Sequence, residues 1–241
     1  MLKKFIKTFL VAALCTVALP SFSQDSEDFE YTREFIWGVN KNTNGGLIGG
    51  FVFKYSQALT PTTFRSFGLE LMNVKHPKEV KYVHYNGNSY IFKKQNYLYA
   101  VRLQYGREKI VFKKAPQQGV QVTAMVSLGP TLGVIAPYYV QVTEGGFTTT
   151  KPYKPNSGLH TSNITGTGGI FEGLGESDLT VGANLKASLS FEFGTFKNSV
   201  SGFEAGFLLE AFPKEIVLMP DASNRSVFTS AFITILFGTR R

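Results

Sequence analysis

The chain is nearly without cysteine. Its one residue, Cys15, lies in an apolar N-terminal stretch, so everything after it lacks a disulfide framework, a thiol nucleophile and a thiolate metal site. Lipidation at Cys15 is not expected, because Leu14 stands before it where a small residue is required. Charge is also sparse, at 17% of the residues. Of the three histidines, His76 and His84 lie eight apart with no matching carboxylate pattern and make no metal site. No apolar run after the N-terminus is long enough to form a membrane-spanning helix. No cofactor is expected. An exported chain without disulfides must be stabilised by its core or by a membrane.

The N-terminus has the composition of an export signal. Lys3, Lys4 and Lys7 precede an apolar stretch over 9–19, then Pro20 and Ser21-Phe22-Ser23. Cleavage is expected before Gln24, giving a signal peptide over 1–23 and a single domain over 24–241. The formal charge of +8 includes those three lysines, so the remainder carries +5. Nucleic acid is not an expected partner of an exported chain of this kind. Lipid phosphates suit a basic rim, although scattered lysines that keep polar loops soluble explain the same charge.

What the chain does have is alternation. In the clearest stretch, Leu179, Val181, Ala183, Leu185, Ala187, Leu189, Phe191 and Phe193 share one face, with Lys186 and Glu192 on the other. Period two over that length is a β-strand between two different environments. Eight strands are expected, over 31–41, 47–58, 63–75, 95–108, 119–129, 179–193, 200–211 and 226–239. Their connections alternate between short and long, the longest being 76–94 and 136–177. Short turns on one side and long loops on the other are the habit of outer-membrane barrels. The fold expected is therefore all-β: an eight-stranded antiparallel transmembrane β-barrel with long extracellular loops and a periplasmic N-terminus. A soluble barrel would carry the same alternation with its apolar face inward. The charges of both signs on the polar face, the 14% aromatic content near strand ends and the export signal favour the membrane form. No periplasmic module is expected after the last strand.

If the apolar faces meet lipid, Lys54, Glu70, Arg102, Lys186, Glu192, Glu204 and Glu210 point into the lumen. Charges buried there must be paired. They form either an ion path or a plug that holds the barrel shut, and an eight-stranded interior is just wide enough for side chains to fill. His76 and His84 flank a loop with Lys78, Lys81, Tyr82, Tyr85 and Tyr90, a composition suited to lipid headgroups or a protein surface. The glycines of 166–176 lack the strand, helix and lysine of a phosphate-binding loop.

The stretch Gly158-Leu159-His160-Thr161-Ser162-Asn163 resembles the His-x-Ser motif of the lipid A deacylases, which are also eight-stranded outer-membrane barrels. The resemblance implies a histidine, His160, that activates Ser162, with Glu172 or Glu176 orienting it. The alternative is a polar loop with no catalysis.

Taken together, the export signal with Gln24 after it, the eight strands and the ending Phe237-Gly238-Thr239-Arg240-Arg241 resemble the small outer-membrane β-barrel proteins of Bacteroidota. Some of these are accessory subunits of machines for barrel assembly or protein secretion. The resemblance implies contact with outer-membrane lipid and lipopolysaccharide, and a partner that is another outer-membrane or surface protein. It implies no enzymatic activity. Three functions stay open: a non-enzymatic barrel that docks partners through its loops, a lipid hydrolase, and a narrow channel or lipid transporter.

Overall fold

The computed structural model describes residues 31–46, 49–113, 119–154, 161–169, 171–193 and 198–241. The expected export segment, Leu47 and His160 lie outside the described residues. The strands are β1 (Arg33–Asn42), β2 (Gly50–Thr60), β3 (Thr63–Val74), β4 (Lys81–Val83), β5 (Ser89–Ile91), β6 (Asn96–Phe112) and β7 (Gln121–Pro137). They continue as β8 (Tyr139–Glu144), β9 (Phe147–Pro152), β10 (Ile164–Thr167), β11 (Asp178–Glu192), β12 (Ser199–Ile216) and β13 (Arg225–Arg240).

Eight of these close into an antiparallel barrel, in the order β1-β2-β3-β6-β7-β11-β12-β13. Closure pairs β13 with β1, from Glu34 opposite Arg240 to Asn42 opposite Phe232. A closed sheet leaves no unpaired edge, the condition for a β-structure to stand in lipid. The eight strands fall where alternation places them, but the fourth runs on to Phe112, the seventh to Ile216, and the fifth furthest beyond its expected end. The fifth runs on to Pro137, although Pro130 and Gly133 interrupt its pattern.

The wall explains the alternation. Val181, Leu185, Leu189, Phe207, Ile233, Ile235 and their neighbours on the other strands are exposed on the outside. An apolar surface that runs around a whole barrel is far beyond what a water-soluble monomer tolerates. This excludes the soluble barrel and leaves lipid as the outer environment. Trp37 lies on this wall, its ring 5.1 Å from that of Phe237. Phe35, Tyr55, Phe67 and Tyr105 stand directly opposite one another across β1, β2, β3 and β6, an aromatic row towards the end with short connections.

The interior is layered. Towards the long-connection end, Val52, Met72, Val74, Leu98, Ala100, Phe212, Ile216, Leu218 and Phe228 form an apolar cluster. Alternation had implied a wholly polar lumen. Here both faces of a strand are apolar, as at Leu98 and Ala100 between tyrosines, so the period-two signal vanishes. At the other end Tyr31, Phe64 and Ile110 pack together, as do Ile36, Val200 and Leu236. The polar residues lie between.

The long connections are folded. A three-stranded sheet of order β10-β8-β9 and a hairpin of β4 with β5 stand over the barrel mouth. Their shared core is Tyr90, Tyr138, Val140, Val142, Tyr153 and Ile164.

Candidate functional site

The middle of the lumen carries a continuous set of ion pairs. Arg102 Nε–H donates to Glu210 Oε1 at 2.7 Å and Nη2–H to Oε2 at 3.0 Å, a two-pronged bond across the barrel from β6 to β12. The same guanidinium reaches Glu70 Oε2 at 3.3 Å. Lys186 Nζ donates to the other oxygen of Glu70 at 2.7 Å and lies 3.0 Å from Glu204 Oε1. The Ser188 hydroxyl donates to that Glu204 oxygen at 2.6 Å, and the Phe232 ring lies under the ammonium at 4.7 Å. Five residues from four strands thus form one chain of charge, all at 5% exposure or less.

Two further groups lie nearer the short-connection end. Lys54 donates to Glu108 Oε2 at 3.0 Å, and Ser56 to Glu108 Oε1 at 2.9 Å. Arg240 pairs with Glu192, lies 3.8 Å from Glu34, and stacks on Tyr31 with its guanidinium 4.3 Å from the ring. The structure therefore brings Glu70, Arg102, Lys186, Glu204 and Glu210 together, and places Lys54 and Glu192 with other partners. Those partners, Glu108, Glu34 and Arg240, were not singled out from sequence. A signal existed for Glu108, which shares the even-numbered face of its strand with Arg102 and Gln104.

Asn184 ties the network to the wall. Its amide donates to the carbonyls of Gly129 and Pro130, each at 3.1 Å, and to Thr131 Oγ1 at 3.0 Å, while its oxygen accepts from Gln104 at 3.1 Å. The β6–β7 pairing lapses at this point, between Arg102–Thr131 and Tyr105–Leu128. Pro130 has no N–H to offer a neighbouring strand, and the asparagine amide takes up carbonyls that the lapse leaves.

Among the described residues this arrangement fills the lumen with side chains. The voids among the lumen side chains amount to about 20 Å³ and about 10 Å³, room for a water molecule at most. Apolar clusters cover the charges at both ends.

The second candidate site is the cap at the long-connection end. Tyr138 anchors it: its hydroxyl accepts from the Ile91 amide at 2.9 Å, its own N–H donates to the Gln95 carbonyl, and its ring meets Tyr97 and Tyr153 edge-on. Burial pushes the hydroxyls of Tyr90, Tyr138 and Tyr153 above the ordinary tyrosine range. Lys94 is buried beneath, bonded to Glu79 at 2.7 Å and over the Tyr97 ring at 4.3 Å. Burial lowers its ammonium from the ordinary lysine range, and Glu79 opposes that effect. His76 contacts the Ser223 carbonyl, and Gln95 N–H donates to Leu218, so the β12–β13 connection is fastened to the same body. The outer surface shows Tyr82, Tyr85, Phe147 and Phe171. A cavity of about 400 Å³ on it is lined by His84, Asn86, Asn88, Gln141, Thr148 and Ser162, among others.

The hydrolytic residues divide. His160 lies outside the described residues. The Ser162 hydroxyl donates to Asn163 Oδ1 at 3.3 Å. Glu172 accepts from the Gly169 amide at 2.7 Å, and Glu176 from the Tyr139 hydroxyl at 3.0 Å. Glu172 is thus bonded within its own turn, and Glu176 to the first residue of β8.

No protein-family model matches the chain, and no curated protein matches it. Among solved structures it is similar to Ail, the attachment invasion locus protein of Yersinia pestis, crystallised with the heparin analogue sucrose octasulfate. That match has 9% identity over 88% of this chain and 99% of the other, with a TM-score of 0.39. Neisserial surface protein A matches at 11% identity over 88% and 97%, with a TM-score of 0.37. The N-terminal β-barrel domain of Pseudomonas aeruginosa OprF matches at 9% over 86% and 98%, with a TM-score of 0.33.

Proposed function

We propose that this is a non-enzymatic barrel of the Gram-negative outer membrane that acts as an accessory or structural subunit, docking another outer-membrane or surface protein through its cap. The N-terminus faces the periplasm and the cap faces outward. The observation that carries this reading is the cap itself. Long connections that build two small sheets and a shared tyrosine core are ordered at considerable entropic cost, and ordered loops on a rigid barrel are where function is commonly placed. The closed lumen supports the same view, since it removes the main alternative use of a barrel. The exposed aromatics Tyr82, Tyr85 and Phe147 are the residue types that anchor protein interfaces.

The test is a photo-crosslinking amino acid placed at Tyr85 or Phe147 in cells, with a control at Phe207 on the lipid-facing wall. One stoichiometric protein adduct from the cap positions, absent from the wall position, supports the reading. A barrel that remains solitary at every cap position sinks it. The hydrolytic reading on His160, Ser162 and Glu172 has its own measurement: lipid A mass spectra of cells carrying the wild type or Ser162→Ala, which differ only if that reading is right.

A further inference from the structure

From the strand register we infer a binding strip for the phosphodiester headgroup of an anionic glycerophospholipid at the short-connection end of the barrel. Two residues below the aromatic row, on the same outward face, Arg33, Gln57, Arg65 and Arg107 stand directly opposite one another across β1, β2, β3 and β6. Lys109 follows on β6, opposite Thr63. Two residues along a tilted strand separate the rows by about 5 Å, the step from the glycerol region, where aromatic rings settle, to the phosphates.

The strip is charged in one sense only. Arg65 and Arg107 are direct cross-strand neighbours, and like charges in that position repel. The acidic residues nearest in sequence turn the other way: Glu108 bonds Lys54 and Ser56 inside, and Glu34 lies by Arg240. Among the described residues no carboxylate forms an ion pair with Arg33, Arg65 or Arg107, so the repulsion calls for an anion from outside the chain. Gln57 Oε1 accepts from both Nε and Nη2 of Arg65, at 3.1 and 2.6 Å, which holds that guanidinium against the wall. A fixed guanidinium fork is suited to two oxygens of one phosphate. The inference rests on the membrane-spanning fold and not on the cap's partner. Under the proposed orientation the strip lies in the periplasmic leaflet, and the ligand is a phosphatidylglycerol-type lipid.

The full mature chain is placed in phosphatidylcholine nanodiscs doped with phosphatidylglycerol, and the lipid retained is counted by native mass spectrometry. Wild type, Arg65→Gln, Arg107→Gln, the double variant and Lys214→Gln at the opposite rim are compared. Each strip arginine removed should lower phosphatidylglycerol retention about fivefold, and Lys214→Gln should leave it unchanged. In pure phosphatidylcholine the double variant should melt no lower than wild type, because it loses the repulsion. The rise in melting temperature on adding phosphatidylglycerol should belong to the wild type alone. Unchanged retention in the double variant, or an equal loss in Lys214→Gln, overturns the strip. A parallel set of nanodiscs is doped with lipid A in place of phosphatidylglycerol, and stronger retention of lipid A overturns the phospholipid assignment and the orientation with it, whatever the cap binds.

Discussion

Arg102 and Glu210 meet across the lumen through two parallel hydrogen bonds, and Glu210 has no other ion-pair partner among the described residues. Glu70, the second carboxylate on Arg102, also holds Lys186. The two glutamates are therefore unequal. Replacing Arg102 by Leu strands a fully buried Glu210, at a cost of about 3–5 kcal/mol. The double change Arg102→Met with Glu210→Met should recover most of that loss, because Glu70 keeps its lysine. Denaturant midpoints of the refolded barrel in vesicles measure both.

Asn184 gives a second test. Replacement by Leu leaves the carbonyls of Gly129 and Pro130 and the amide of Gln104 without this partner, at about 1–3 kcal/mol for each group that finds no other. The loss should show as a lower melting temperature with no change in strand content by circular dichroism.

Phe212 lies over two glycines of neighbouring strands. A Cβ at Gly133 would fall 2.9 Å from its ring, and one at Gly182 would fall 2.7 Å from it. Phe212→Ala should cost about 3–5 kcal/mol through the cavity it opens under the cap. Gly133→Ala should destabilise less than that, and the two changes together should cost less than their sum, since the first removes the contact with the ring and leaves only that with Thr180 Cγ2 at 2.8 Å.

The cap should have its own pH response. Lys94 is lowered in the folded state, so the unfolded cap binds more protons between that lowered value and the ordinary lysine value, and stability rises with pH across that interval. Tyr90, Tyr138 and Tyr153 are raised, so above about pH 10 the unfolded cap releases protons that the folded cap holds, and stability falls. Hydrogen exchange of the β8–β10 amides should be slowest near pH 10 after correction for intrinsic rates, and should accelerate beyond it while the barrel amides stay protected. An unchanged profile above pH 10 would contradict the tyrosine core.

Reconstituted in planar bilayers, the protein should carry no steady current. Glu204→Gln should lower stability without opening a path, because the apolar clusters at both ends remain.

Alternation along the chain by itself determined the barrel. A strand between lipid and a packed lumen must change character at every residue, and 179–193 does so without interruption. The even faces of the strands also placed Glu70, Arg102, Lys186, Glu204 and Glu210 indoors, because a charge on the lipid side is too costly. Which of them pair was decided only by the tertiary structure. Arg102 and Glu210 are 108 positions apart, and their contact depends on the register of the three strand pairings between β6 and β12. The same holds for the strip of Arg33, Arg65 and Arg107, which is three scattered arginines in sequence and one row in the sheet. The cap was hidden for another reason. Its strands are three to six residues long, too short for a period to stand out, and their faces are set by burial against one another and not against a membrane. Local pattern reports an environment that is uniform along a whole strand; pairings, rows and small cores exist only once the chain has closed.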